Sequence, residues 1–316
     1  MAPFSRREFL WRFGGGLGGI ALAQILSEQR LLAESAASRP ILKSGVHFPA
    51  KAKRVVQLFM SGAASQCDTF DYKPELINRH GQKFDPGGKV ELFQSDPGPC
   101  MKSPWDWKRY GQCGKWVSDL VPHLAQCVDD MAFIHSMVSK SNIHGPATYM
   151  QNSGFLFPGF PHMGAWISYG LGSMNENLPT FVVLPDVRGF APNGPANWSA
   201  GFLPGQHQGT MIRVGKTNPI YDLFPPEKAK FINAKSESEG RDLLKELNEA
   251  HAVQREGDSR LEARISAFEM AARLQLSAPE VLDISGESES ARKLYGLDRE
   301  ITRDFGTRCL IARRLL

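Results

Sequence analysis

Short apolar runs rich in β-branched and aromatic residues are separated by polar loops in the first two thirds of the chain. The run Lys53–Met60 predicts a buried strand, and Met131–His135 and Thr180–Leu184 predict two more. A helix is predicted over Trp116–Cys127. Because strand, loop, helix and strand follow one another, we expect an α/β fold with a mostly parallel sheet flanked by helices.

After residue 236 the apolar positions recur with the period of a helix. Three Ser-x-x-Glu capping boxes, which begin at Ser236, Ser259 and Ser277, each predict a helix start. The first two helices form a predicted hairpin over about residues 237–275. Their outer faces are charged, which favours a hairpin that covers a sheet over one that binds a partner.

The last residues, Asp304–Leu316, predict an amphipathic helix that ends without a cap. An apolar stripe at this point suggests that a further strand should follow. We therefore expect the fold to be incomplete at the C-terminus.

The N-terminus has the pattern of an export signal. Arg6 and Arg7 precede the apolar, glycine-rich stretch Phe13–Leu26, and small residues follow at positions 33–37. This predicts a twin-arginine signal peptide over residues 1–37, and a periplasmic or secreted protein with no membrane span after signal removal. Because this pathway exports proteins that have already folded, often around a cofactor, it favours a metal or another cofactor.

Composition narrows the possible functions. The 316 residues contain 37 basic and 33 acidic side chains, a net charge of +4 that does not indicate a nucleic-acid partner. The five cysteines are odd in number and lack the spacing of a zinc site. Cys100 and Cys113 either form a disulfide or remain free thiols.

The first concentration of polar residues follows the first predicted strand. Small residues from Ser61 onwards precede the carboxylates Asp68 and Asp71. Ligands of α/β proteins bind beyond the carboxyl ends of strands, so a site is expected in this loop. The alternative is that a carboxylate caps the next helix, a role that suits Asp71 better than Asp68.

A second concentration surrounds the start of a predicted helix, Ala147–Asn152. Lys140, Asn142 and His144 precede this helix, whose N-terminus suits a phosphate or sulfate group. His144 is a candidate metal ligand, general acid or base, or nucleophile. The alternative is a hydrogen-bonded histidine with a structural role.

A third concentration, Asp186–His207, is a long loop. Asn193, Asn197, Trp198 and His207 are candidates for lining a substrate pocket there. The signal is weak, because such loops are polar in any case.

Several segments together resemble DUF1501, a family of exported bacterial proteins of unknown function grouped with the alkaline phosphatase and sulfatase superfamily. The resemblance spans about residues 45–316. The segments are His47–Val56, Asp68–Pro74, Asn142–Ala147, Leu178–Asp186, Gly194–Pro204 and Lys293–Leu297. It implies an alkaline phosphatase-like core in which metal-bound carboxylates and histidines hydrolyse phosphate or sulfate esters.

The resemblance also implies a role for each candidate residue. The divalent metal ion would be held by Asp68 and Asp71, and His144 would act at the reacting centre. The contacts to the anion would come from Lys140, Asn142 and Asn197. His144 stands where sulfatases carry Cys or Ser, so no formylglycine forms, and Ser61 replaces a histidine of the family's first loop.

Family members continue beyond position 316, and the remaining metal ligands come from that later part. The metal ion is therefore either weakly held or absent in this chain. We expect an exported metal-dependent hydrolase of sulfate or phosphate esters, with a small molecule or a polysaccharide as substrate. The alternative is a non-catalytic, polysaccharide-binding envelope protein that uses Trp105, Trp107 and Trp198, or an inactive truncated homologue.

Overall fold

The computed structural model describes residues 52–85, 87–88, 97–173, 175, 177–215, 219–220, 229, 232–253, 255 and 259–316. The chain divides into two compact units. The hairpin unit is Leu58–Ala147, and the helical unit is Thr148–Leu316 together with the residues up to Gln57. The predicted signal peptide, residues 1–37, lies outside the described residues.

The hairpin unit contains short elements. In chain order they are α1 (Gln66–Thr69), α2 (Pro74–Asn78), β1 (Trp107–Tyr110), β2 (Lys115–Ser118), α3 (Pro122–Ala125) and a 3-10 helix at Val128–Asp130. Helix α4 (His144–Ser153) begins in this unit. Strands β1 and β2 pair antiparallel.

The turn between β1 and β2 depends on glycine and on one carboxylate. Gly111 and Gly114 have φ angles of 66° and 63°, which L-residues with a side chain rarely adopt. Asp129 accepts hydrogen bonds from the N–H groups of Gln112 (2.8 Å) and Cys113 (2.9 Å). A Cβ at Gly111 would lie 2.5 Å from Oδ1 of Asp129, so the turn and its carboxylate leave no room for a side chain there.

Strand β2 and the following helices form the core of the hairpin unit. The buried residues are Val117, Ala125 and Val128, with Phe70, Tyr110, Val121 and Phe133 packed against them. The predicted helix over Trp116–Cys127 is therefore wrong in its first part, which is strand β2. Pro122 occupies the first turn of α3, where its missing N–H costs nothing, so the helix begins there.

The helical unit contains the longer elements. They are α5 (Met163–Leu171), β3 (Val182–Val183), β4 (Thr210–Met211), α6 (Ala234–Val253), α7 (Ser259–Leu282), α8 (Glu289–Leu294) and α9 (Glu300–Leu315). Two 3-10 helices, Gly194–Trp198 and Gly205–His207, lie between β3 and β4 in the chain. Strand β3 confirms the strand predicted around Thr180–Leu184, although it is shorter.

Helices α6 and α7 lie over the residues of the predicted helical hairpin. Gln275 on α7 donates a 2.7 Å hydrogen bond to Glu237 on α6. The cap of α6 is Asn233, whose Oδ1 accepts from the N–H of Ser236, while the Ser236 hydroxyl accepts from the N–H of Asn233. The helix start predicted at Ser277 is wrong, because α7 continues through Pro279.

The core of the helical unit joins its small sheet to α7. The buried residues are Ile212, Ile220, Leu274 and Ala278, and the residues packed against them are Leu178, Val182, Leu184, Leu282 and Leu315. The predicted helix at the end of the chain is confirmed by α9, whose Leu315 contributes to this core.

The fold is mixed α and β, with two two-stranded sheets among the described residues. Parallel pairing is confined there to β3 and β4, two residues each, so the expected mostly parallel sheet is not present in the described part. Lys53–Met60 and Met131–His135 have no regular secondary structure, and Leu58 is 73% exposed. Both strand predictions are wrong here, since an apolar run becomes a strand only when a neighbouring strand pairs with it.

Two further expectations concern the chain as a whole. Within the described ranges, no helix has the length and apolar character needed to cross a membrane. The thiols of all five cysteines are free, so Cys100 and Cys113 form no disulfide in this structure.

Candidate functional site

The segment that carries Asp68 and Asp71 is held on strand β2. The hydroxyl of Ser118, which is fully buried, donates a 2.5 Å hydrogen bond to the backbone oxygen of Asp68. The ring of Tyr72 stacks on Trp116 with 4.5 Å between the ring centroids. These two contacts fix the position of Asp71 between them.

Asp71 lies between a lysine and a histidine. Its carboxylate is 2.8 Å from Nζ of Lys73 and 3.7 Å from Nδ1 of His135. The hydrogen bond from Lys73 to Asp71 raises the pKa of the Lys73 ammonium. The Asp71 side chain is 18% exposed, so its charge is only partly screened by water.

His135 connects Asp71 to a second lysine. Nε2 of His135 is 2.5 Å from Nζ of Lys115, and the imidazole stacks on the ring of Phe133. Because an ammonium group only donates, a neutral His135 accepts at Nε2 and carries its proton on Nδ1, the nitrogen that faces Asp71. We call these three residues the Asp71–His135–Lys115 group.

The other predicted residues of the hairpin unit lie in α1 and before α4. Asp68 is half-buried in α1, whereas Lys140, Asn142 and His144 are exposed. Helix α4 begins at His144 and ends before Gly154, so the predicted helix is confirmed with an earlier start. The metal-binding, catalytic and anion-binding roles of these residues stay predictions.

The hairpin unit contains few side chains placed to bind a divalent metal ion together. Asp71 and His135 are adjacent, but a catalytic metal centre typically has three protein ligands. No group of three or more His, Cys, Asp or Glu side chains in the described part of the chain is arranged to hold one. Lys73 also occupies the Asp71 carboxylate. The described donors alone do not fit a metal centre.

Asn197 lies in the helical unit and makes structural hydrogen bonds. Its Nδ2 donates to the backbone oxygens of Pro192 (2.6 Å) and Gly194 (2.9 Å). These bonds stabilise the turn at Asn193, whose φ is 73°. The side chain of Asn197 is buried. Its predicted contact with an anion stays a prediction.

Two histidines of the helical unit, His162 and His207, form hydrogen bonds through their ring nitrogens. His162 is buried, accepts from the N–H of Gly164 (2.7 Å) at Nδ1, and bonds Asn152 through Nε2 (3.2 Å). Burial lowers the pKa of His162 to about 4, so the ring is neutral at pH 7. His207 lies 2.8 Å from the hydroxyl of Ser168, and burial lowers its pKa as well.

Two residues of the Asp71–His135–Lys115 group, His135 and Lys115, were not predicted from the sequence. His135 was visible only as the end of a predicted strand, and Lys115 gave no signal. Their contact depends on where β2 places Lys115 relative to a residue 20 positions later. A sequence pattern records neighbours along the chain, and this contact joins two of its separate segments.

Comparisons with known proteins give one match. No curated protein and no solved structure matches the chain. A family model described as "Protein of unknown function (DUF1501)" matches residues 52–316, which is more than half of the chain. The chain therefore belongs to the DUF1501 family.

Proposed function

We propose that this chain is an exported hydrolase of phosphate or sulfate esters that acts at the Asp71–His135–Lys115 group. The observation that supports this proposal is an imidazole placed between a carboxylate and an ammonium group. The His135 side chain is 42% exposed, so an ester in solution can reach it. Lys73 adds a second ammonium group beside Asp71.

Each residue of the group has a role in the proposed reaction. The lysines attract the negative oxygens of the ester, and Asp71 favours the tautomer of His135 with its proton on Nδ1. When Lys115 turns to the ester, Nε2 of His135 takes a proton from the attacking water. The imidazolium returns that proton to the leaving alcohol oxygen, which yields the alcohol and inorganic phosphate or sulfate.

The roles implied by the family resemblance are part of the proposal. They are a divalent metal ion at Asp68 and Asp71, His144 at the reacting centre, and anion contacts from Lys140 and Asn142. An anion contact of Asn197, which belongs to the helical unit, is proposed separately. The exposure of His144 is compatible with contact to a substrate. We also propose that β3 and β4 belong to an alkaline phosphatase-like parallel sheet.

The test is release of a phenol from aryl phosphate and aryl sulfate by the exported chain, with chelator or with added divalent metals. We expect His135→Ala and Asp71→Asn to lower kcat/KM about 100-fold or more, because the general base or its orientation is lost. His123→Ala replaces an exposed histidine of α3 and is the matched control. The proposal fails if the chain shows no turnover under any condition, or if His135→Ala is as active as the control.

A second candidate function is non-catalytic binding of an anionic polysaccharide. It is favoured by Tyr72, which packs against both Trp107 and Trp116, and by Arg109, which lies 5.2 Å from the Trp116 ring centroid. Trp105 is also exposed. Binding of a sulfated polysaccharide without ester turnover, weakened by Arg109→Ala, would favour this function over hydrolysis.

Export is a separate part of the proposal. Replacement of Arg6 and Arg7 by lysine should keep the protein in the cytoplasm, because the paired arginines define the signal. Cell fractionation measures this. Equal amounts of both proteins in the periplasm or medium would contradict export by the twin-arginine pathway.

A further inference from the structure

Lys115 carries a positive charge that no described carboxylate neutralises. Nζ of Lys73 is paired with Asp71 at 2.8 Å, whereas Nζ of Lys115 contacts a ring nitrogen, Nε2 of His135. On its other side, Nζ lies 4.4 Å from the ring centroid of Phe133. Within the described residues, the ion pairs found do not include Lys115. A bound anion would neutralise this charge.

The position of Lys115 is fixed by the fold of the hairpin unit. Lys115 begins β2, and side chains alternate along a strand, so it shares a face with Val117, which is fully buried. Phe133 packs against the same core. The stem of Lys115 is half-buried beside this ring, so less side-chain entropy is lost when the ammonium group binds.

We propose that Lys115 binds the tetrahedral oxyanion of the substrate, a phosphate or sulfate monoester group, and that this oxyanion replaces His135 as the acceptor of its hydrogen bond. The inference rests on the proposed function for the identity of the substrate. It adds that Lys115 recognises the anion, whereas His135 transfers the proton. Anion binding and proton transfer are coupled, because Lys115 releases Nε2 of His135 when it binds the anion.

The chemistry of lysine defines what is recognised. An ammonium group is a compact charge with three donors, whereas a guanidinium is a planar fork that pairs with two oxygens at once. A monoester presents a terminal oxyanion that can approach Nζ closely. A phosphate diester has one terminal oxygen fewer than the monoester and carries a smaller negative charge, so we expect it to bind more weakly.

The test is isothermal titration calorimetry of the full chain with inorganic phosphate and inorganic sulfate, which need no turnover. Lys115→Met keeps the apolar stem on Phe133 and removes the charge, and we expect it to weaken binding at least tenfold. Lys115→Arg should restore part of the affinity. Lys108→Met, which replaces an exposed lysine of the same hairpin, is the matched control and should bind as the unchanged chain does.

The outcomes separate this inference from the proposed function. Binding that is lost in Lys115→Met, without ester turnover by the unchanged chain, supports the oxyanion site and overturns hydrolysis. Ester turnover with equal KM and equal phosphate affinity in Lys115→Met overturns the oxyanion site and leaves hydrolysis standing. Absence of phosphate and sulfate binding by the unchanged chain overturns the oxyanion site.

Discussion

His135 of the hairpin unit and His162 of the helical unit each have polar partners on both ring nitrogens, but their surroundings differ. His135 is 42% exposed and lies between a carboxylate and an ammonium group. His162 is 3% exposed and lies between a backbone N–H and the amide of Asn152. The comparison shows that two contacts do not define a histidine's role. The ring of His135 is accessible from solution, whereas burial keeps His162 neutral and structural.

The largest effect that follows from this comparison is on stability. His162→Ala should lower the free energy of unfolding by about 3–4 kcal/mol, because it removes the cap of α5 and leaves a cavity beside the ring of Phe181. Urea unfolding followed by circular dichroism measures this change.

The matched control is His135→Ala, which should cost less than about 1 kcal/mol because the residue is exposed. A third variant, His162→Asn, keeps an N-cap acceptor and should recover about 1 kcal/mol of the loss. Equal losses in the two alanine variants would show that the contrast between the histidines does not exist.

The second effect is a dependence of stability on pH. The pKa of His162 is about 4 in the folded chain against an ordinary value of 6.5, so between these values the unfolded chain binds more protons. The contribution of His162 to the free energy of unfolding is fully present above pH 6.5 and is lost as the pH falls to about 4. A difference of this size corresponds to about 3 kcal/mol.

Urea unfolding at a series of pH values between 7.5 and 4 tests this effect. Burial lowers the pKa of His207 too, so that residue adds a loss of the same sign. In His162→Asn the curve should therefore become flatter without becoming flat. A curve as steep as that of the unchanged chain would contradict the assignment to His162.

The sequence predicted the helical parts of the fold better than the strands. Helices α6 and α7, helix α4 and helix α9 were found because a helix forms hydrogen bonds within one segment, so its period is visible locally. Lys53–Met60 has the composition of a strand but no paired neighbour in the described structure. A strand depends on a second segment, which the run itself does not specify.

The candidate site also depends on contacts between separate segments of the chain. Asp71 was found because its carboxylate follows an apolar run and a small-residue loop in the sequence. Lys115 and His135 meet it only through strand β2 and the packing of Phe133. Similarly, Asn197 was predicted to bind a substrate because it is polar and lies in a loop, whereas its hydrogen bonds show what it does for the backbone.

The third prediction concerns the turn between β1 and β2, which directly precedes Lys115. Gly111→Ala should cost about 2–3 kcal/mol, because it adds strain at positive φ and pushes Asp129 away from the two N–H groups that it accepts from. Gly114→Ala, the matched control, has the same strain but open space around its Cβ, and should cost about 1 kcal/mol. Thermal unfolding of both variants is the measurement, and equal costs would exclude a role for the Asp129 contact.

The smallest effect is expected for Asp129→Asn. This variant distinguishes the loss of stability in acid that arises in the hairpin unit from the loss that arises in the helical unit. Hydrogen bonds from the N–H groups of Cys113 and Gln112 hold the pKa of Asp129 below its ordinary value of 3.8. Its contribution is therefore fully present above that pH and is lost as the pH falls through the lowered value. Asp129→Asn should reduce the loss of stability below about pH 4 and leave the loss between pH 6.5 and 4 unchanged, because the latter comes from His162 and His207. Urea unfolding at a series of pH values measures this effect. A change in the unfolding free energy near pH 5 in Asp129→Asn would contradict the prediction, because the loss of stability at that pH is assigned to the buried histidines of the helical unit.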